Sequence, residues 1–128
     1  LFLIAKNKKK KPNIYKIDTE NIEIDEIQKA KKYLKLNLKN LKGEITGGEI
    51  SRNGQKCLIK TYKNVFLWER KKDEKWKNIW SQAPKILKYI PESQGEAICW
   101  SNDENAYFTL SENENSDQEQ NLFKYLKN

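Results

Sequence analysis

The sequence predicts an all-β fold, a β-propeller fragment of about two and a half four-stranded blades, from three observations. First, residues 44–62 have the pattern of a β-hairpin, in which apolar strands flank an Asn53-Gly54 turn. Second, a similar hairpin recurs at residues 94–112. Third, each hairpin is followed by an Asn, an aliphatic residue and an aromatic residue. A repeat of about fifty residues that holds only short strands is typical of propeller blades.

The two hairpins can be compared residue by residue. The Gly48-Glu49 step is matched with Gly95-Glu96, 47 positions later, whereas Ser51 is matched with Ser101, 50 positions later. This comparison predicts three additional residues before the second turn. The segment of Asn, aliphatic and aromatic residues occurs three times, at residues 13–15, 64–66 and 121–123.

These repeats divide one propeller domain into three parts. Residues 1–38 are expected to form the last three strands of one blade, residues 44–90 a complete blade, and residues 94–126 the first three strands of another. The sequence has no Met and begins within a predicted strand, so we expect a fragment or a chain whose natural start is not shown. An incomplete propeller exposes unpaired sheet edges. We therefore expect missing blades or a protein partner to pair with them.

A short helix is expected near residues 73–82, inserted before the last strand of the complete blade. Trp76, Ile79 and Trp80 have the i, i+3, i+4 spacing of one helix face. Asp73 is the candidate N-cap. The tryptophans are better explained as anchoring core residues than as a platform that stacks on carbohydrate.

Composition and charge limit the class of protein. With 37% apolar and 11% aromatic residues the chain can bury a core, and no apolar run approaches the roughly 20 residues of a membrane span. The net charge of +7 arises within residues 1–43, while residues 101–120 hold six acids and no Lys or Arg. Because no aromatic residue lies inside the lysine run at residues 6–12, this local charge is not a strong signal for nucleic-acid binding.

Two segments carry a family resemblance, ITGGEISRNGQKCLIKTYKNVFLWER and QGEAICWSNDENAYFTLSE. The chain resembles a secreted-type β-propeller family of poorly defined function, which is similar to the esterase-like phytase and TolB-like propellers. Asn53-Gly54 stands where this family usually has Asp-Gly, and Lys60-Thr61-Tyr62 stands where it has Arg-Thr-Tyr. The resemblance implies about six or more blades, an extracellular or exported location, and no secure catalytic residue.

Glu49 and Glu96 are the candidate metal ligands. Each follows a glycine in a predicted innermost strand, and carboxylates that converge in the central channel would suit Ca²⁺ or Mg²⁺. Gly95-Glu96 is also similar to the Gly-Glu step of gluconolactonase-like propellers, in which the glutamate is a metal ligand, although Ala97-Ile98 departs from that motif. The alternative is that each carboxylate accepts hydrogen bonds from backbone donors where blades meet.

Two functions are compatible with these observations. The favoured one is a non-catalytic β-propeller that acts as a protein-interaction or structural module, since no residue requires catalytic chemistry. The alternative is a metal-dependent hydrolase of esters, lactones or phosphates, with its site in the central channel. The chain contains no His, so the usual general base is missing. This weighs against an enzyme without excluding one.

Overall fold

The computed structural model describes residues 1–6, 11–20, 22–23, 25, 27–36, 44–112 and 120–127. The predicted all-β fold is confirmed for these residues, which form short strands and a single turn of helix. In this part of the chain no helix is long and apolar enough to cross a membrane. The elements in chain order are β1 (Phe2–Ile4), β2 (Asn13–Lys16), β3 (Lys31–Lys35), β4 (Ile45–Ile50), β5 (Lys56–Thr61), β6 (Val65–Glu69), α1 (Trp76–Ile79), β7 (Lys85–Leu87), β8 (Gly95–Trp100), β9 (Ala106–Ser111) and β10 (Phe123–Leu126).

The strands form three antiparallel sheets. The first sheet has the order β1-β2-β3, the central sheet β4-β5-β6-β7, and the third sheet β8-β9-β10. Each sheet is a meander in which strands that are consecutive in the chain pair antiparallel. The last strand of the central sheet ends at Leu87, three residues before the predicted end of the complete blade at residue 90.

The central sheet is covered on both faces. Successive side chains of a strand point to opposite faces, and β5 and β6 are each buried at all but one position, so both of their faces are buried. The residues packed with the first sheet and the helix are Cys57, Ile59, Phe66 and Trp68, and those packed with the third sheet are Leu58, Val65 and Leu67.

Helix α1 helps to hold the first sheet against the central sheet. Trp76 stacks on Trp80 with 5.0 Å between ring centroids, and Trp80 meets Phe2 of β1 edge to face, also at 5.0 Å. Both tryptophans are buried. This arrangement agrees with their interpretation as anchoring core residues.

The predicted helix cap at Asp73 is wrong. The N-cap position is Lys75, and no side chain makes a capping hydrogen bond there. The backbone N–H of Glu74 donates to the Lys71 carbonyl at 3.1 Å, which forms a turn before the helix. The helix therefore begins only at Trp76. Packing of the tryptophans, rather than a cap, therefore determines where this short helix forms.

The hairpin turns of the central and third sheets have the same hydrogen-bond pattern. In each, a serine hydroxyl donates to the side chain two residues later and accepts the backbone N–H five residues later, at Ser51 and at Ser101. The third residue after each serine has a positive φ, 71° at Gly54 and 56° at Glu104. Glu104 is held in this conformation by its carboxylate, which accepts from Lys56 Nζ at 3.1 Å.

The strand register corrects the predicted match between the hairpins. Glu49 lies opposite Leu58 in the central sheet, and Cys99 lies opposite Phe108 in the third sheet, so the offset is 50 in both strands. The prediction of three added residues is therefore wrong. The two Gly-Glu steps were matched because they have the same residue types. The equivalent positions in the two sheets are defined instead by which residues are paired across the strands. The structural counterpart of Glu49 is Cys99, not Glu96.

Candidate functional site

Strands β4 and β8, each at one edge of its own sheet, lie against each other and run in the same direction. At one end of this β4–β8 contact the Thr46 hydroxyl donates to the Gly95 carbonyl at 2.9 Å. At the other end the Glu49 carboxylate accepts the backbone N–H of Trp100. Because the contacting residues advance together along both strands, the strands are parallel.

Gly47 allows the two strands to approach closely. A Cβ atom at this position would lie 2.9 Å from the Glu96 carbonyl oxygen and 3.2 Å from Cγ2 of Ile98. The first of these distances is shorter than real Cβ contacts, so a larger residue would push the strands apart. The glycine of the Thr-Gly-Gly-Glu step thus serves contact between sheets.

The Glu96 carboxylate accepts hydrogen bonds from side chains of two other segments. Its Oε1 accepts a hydrogen bond from the Tyr62 hydroxyl at 2.6 Å and another from Lys6 Nζ at 3.3 Å. The hydrogen bond from Tyr62, followed by that from Lys6, lowers the pKa of Glu96 below its ordinary 4.5. Lys6 also lies 3.5 Å from Oε2 of Glu44, so it bridges two carboxylates.

The two predicted metal ligands lie at opposite ends of the β4–β8 contact and have different hydrogen-bond partners. Glu49 binds the backbone at one end of the β4–β8 contact, whereas Glu96 lies beside Gly95 at the other end and binds side chains. Among the described residues no group of three or more His, Cys, Asp and Glu side chains could hold a metal ion. Ligation of Ca²⁺ or Mg²⁺ by Glu49 and Glu96 stays a prediction.

A buried ion pair, Lys60 with Glu92, lies between the central and third sheets. Lys60 is 0% exposed, and its Nζ lies 3.6 Å from Oε2 of Glu92. The same ammonium donates to the Gly95 carbonyl and lies 4.8 Å from the ring centroid of Tyr89. Burial lowers the pKa of Lys60, and the negative charge of Glu92 opposes that shift.

Hydrogen bonds also satisfy the carboxylate of the buried ion pair. Oε1 of Glu92 accepts from the Thr109 hydroxyl at 3.0 Å, and Oε2 accepts from the Tyr89 hydroxyl at 3.1 Å. Burial is the main cause that raises the pKa of Tyr89, so this phenol stays protonated and able to donate. A Cβ at Gly95 would lie 2.5 Å from both charged groups, so this glycine makes room for them.

Sequence reasoning missed the buried ion pair. A lysine in a strand is usually solvated. No local sequence pattern indicates that Lys60 of β5 pairs with Glu92, which lies in the connection between β7 and β8. One signal was present. Lys60 continues the apolar run Cys57-Leu58-Ile59, which is too long for a strand with one solvated face.

Neither cysteine has the environment of an activated nucleophile. Both are free thiols, Cys57 buried and Cys99 exposed. Burial raises the pKa of Cys57 to about 12. Partial burial, together with the nearby charge of Glu49, also raises the pKa of Cys99. Because the thiolate is the nucleophile, both shifts reduce reactivity.

The Tyr62→Phe variant is expected to raise the pKa of Glu96 toward its ordinary 4.5, because it removes the largest cause of the shift. In the wild type, Glu96 stabilises the fold above its unfolded pKa, and this contribution is lost as pH falls through the lowered folded value. Carbon-detected NMR titration of the carboxyl group measures the shift directly. Tyr33→Phe, which alters a distant phenol, is the control, and an unchanged Glu96 titration in Tyr62→Phe would contradict the assignment.

Comparisons with known proteins give no relative of this chain. No family model matches it, no curated protein matches it, and no solved structure matches it. The resemblance to the secreted-type β-propeller family therefore stays a prediction. What the fold and the site define is an all-β protein in which the charged side chains of Lys60, Glu92 and Glu96 are paired at the contact between the central and third sheets.

Proposed function

We propose that the three sheets are consecutive blades of a β-propeller that acts as a non-catalytic protein-interaction or structural module. The observation that carries this proposal is the parallel β4–β8 contact. In a propeller the blades are arranged around a central axis, and the first strand of each blade lies beside the first strand of the next. β4 and β8 are the first strands of the central and third sheets.

The stacking of the sheets supports the same arrangement. Each face of the central sheet is packed against a neighbouring sheet, and the central and third sheets share a turn geometry and a register at an offset of 50 residues. Units that repeat in sequence and bury their faces against their neighbours are the defining feature of repeat architectures. On this proposal β1–β3 are strands two to four of one blade, and β8–β10 are strands one to three of another.

The proposal that the module is non-catalytic rests on the partners of its charged side chains. Glu49 binds a backbone N–H, Glu96 is paired with Tyr62 and Lys6, and the buried ion pair joins two sheets. Each of these interactions stabilises contacts between sheets. The metal-dependent hydrolase has no observation of its own in its favour.

Interaction with a partner is proposed through the exposed parts of the sheets. The last strands of the three sheets are edge strands, and in the described residues no further strand pairs with β3, β7 or β10. Unpaired edges of this kind are suited to strand pairing with another chain.

Calorimetric titration with CaCl₂ and with MgCl₂ tests the proposed function against the hydrolase. We expect no saturable binding of either ion and no hydrolysis of p-nitrophenyl acetate or p-nitrophenyl phosphate above the buffer rate. Saturable binding that is lost in Glu49→Gln or Glu96→Gln would overturn the non-catalytic proposal. Glu69→Gln is the control, because this carboxylate pairs with Lys85 and Lys127 at 2.8 Å and lies on β6, two strands away from β4.

A further inference from the structure

The third sheet has a largely apolar face that no other sheet covers among the described residues, although Lys124 Nζ lies over the Phe108 ring there, 5.8 Å from its centroid. Tyr107 and Thr109 of β9 point toward the central sheet, where both are buried. Alternation along the strand therefore directs Phe108 and Leu110 to the opposite side. Leu126 of β10 lies on that side too, and Leu110 and Leu126 are 38% and 68% exposed. We call this surface the outer face of the third sheet.

The outer face of the third sheet is equivalent to a face that is buried elsewhere in the same chain. At the offset of 50, Phe108 and Leu110 are the counterparts of Leu58 and Lys60. Leu58 and Lys60 are both 0% exposed, since the third sheet packs over them. The third sheet therefore presents the positions through which the central sheet binds its neighbour.

The first sheet has the complementary open face. Phe2 packs toward Trp80 and the central sheet, so Leu3 points away from it and is 43% exposed. Leu3 is paired with Tyr15, as Ile59 is paired with Phe66 in the central sheet. In the central sheet those two residues are buried against the first sheet. We call the surface of Leu3 and Tyr15 the outer face of the first sheet.

We infer that the outer face of the third sheet binds the outer face of the first sheet of a second copy of this chain, head to tail. The contact would repeat the packing already present between neighbouring sheets. Charge favours this occupant, because the described residues of 1–36 hold seven lysines and four acids, whereas those of 94–112 and 120–127 hold four acids and two lysines. The inference rests on the proposed function, since it treats each sheet as a blade that takes another blade as its neighbour.

Sedimentation equilibrium tests the contact on the chain as it stands. We expect the wild-type mass to rise above 15.2 kDa with concentration. Leu110→Glu and Leu3→Lys should each weaken association about tenfold or more, because each places a charge in an apolar contact. In a head-to-tail contact the two variants have complementary intact faces, so an equal mixture should associate again. Circular dichroism establishes that both variants are folded.

Ile86→Glu is the matched control, because Ile86 is 62% exposed and lies on the edge strand β7, outside both outer faces. This variant should associate like the wild type. A wild type that stays at 15.2 kDa up to its solubility limit, or a mixture that stays monomeric, would overturn the head-to-tail contact. A monomer without metal binding overturns this contact alone, whereas saturable metal binding overturns the proposed function at any mass.

Discussion

Replacing Glu92 with Leu is expected to destabilise the chain by about 3–5 kcal/mol, because it leaves the buried charge of Lys60 without its partner. The side chain is 0% exposed, so bulk solvent does not reach the ammonium to replace the carboxylate. The variant also removes the acceptor for the hydroxyls of Thr109 and Tyr89. Urea denaturation at pH 7, followed by tryptophan fluorescence, measures this loss.

The double variant Lys60→Met/Glu92→Leu is the control for the buried charge. It removes both charges together, so it should be more stable than Glu92→Leu alone. The pH dependence gives a second check. Burial lowers the folded-state pKa of Lys60 below its ordinary 10.5, so the unfolded chain binds more protons in that window and stability from this group rises with pH.

Loss of Glu92 removes the charge that opposes this shift, so the pKa of Lys60 should fall further in Glu92→Leu. The destabilisation of that variant relative to the wild type should therefore shrink as pH is raised from 7 toward about 10. A loss of stability that is the same at both pH values, or a double variant as unstable as Glu92→Leu, would contradict the assigned role of the buried ion pair.

Replacing Trp80 with Ala is expected to cost about 3–5 kcal/mol, as for other large aromatic residues removed from a core. Trp80 is 1% exposed. Its ring contacts Trp76 and Phe2 at centroid distances of 5.0 Å and Tyr33 at 6.2 Å. The cavity would therefore open where the first sheet, the helix and the central sheet meet. Urea denaturation gives the magnitude of the loss.

Hydrogen exchange locates the effect of Trp80→Ala. Amides of β1 and β2 should lose more protection than those of β8 and β9, which pack on the other face of the central sheet. Trp80→Phe, which keeps an aromatic ring, should cost less, and Ile86→Ala, at a largely exposed site, should change stability by no more than about 0.5 kcal/mol. A loss below about 1 kcal/mol in Trp80→Ala, or equal loss of protection in all sheets, would show that Trp80 does not join the sheets.

Local chemistry explains what was predictable from the sequence. The hairpin expected at residues 94–112 is observed as β8 and β9, Gly95–Trp100 and Ala106–Ser111. Each hairpin turn is marked by a serine followed two residues later by Asn53 or Asp103. In both turns the side chain bonds the nearby backbone. Such bonds depend on residues within a few positions of one another, so one sequence is enough to indicate them.

Contacts between distant segments explain what was not predictable. Glu96 was matched with Glu49 by residue type, but its position depends on the ladder with β9 and on the partners Tyr62 and Lys6. The start of the helix depends on where Trp76 can stack, and not on Asp73. The buried ion pair depends on the packing of two sheets, which no local pattern encodes.

The parallel contact between β4 and β8 is tested most directly by nuclear Overhauser effects in the folded chain. The position of a Cβ on Gly47 would lie 3.2 Å from Cγ2 of Ile98, so we expect a strong effect between the Gly47 α protons and the Ile98 γ2 methyl group. A second effect is expected between Thr46 and Gly95, whose hydroxyl and carbonyl are 2.9 Å apart. Absence of both effects while the effects within each sheet are present would contradict the stacking of the sheets as neighbouring propeller blades.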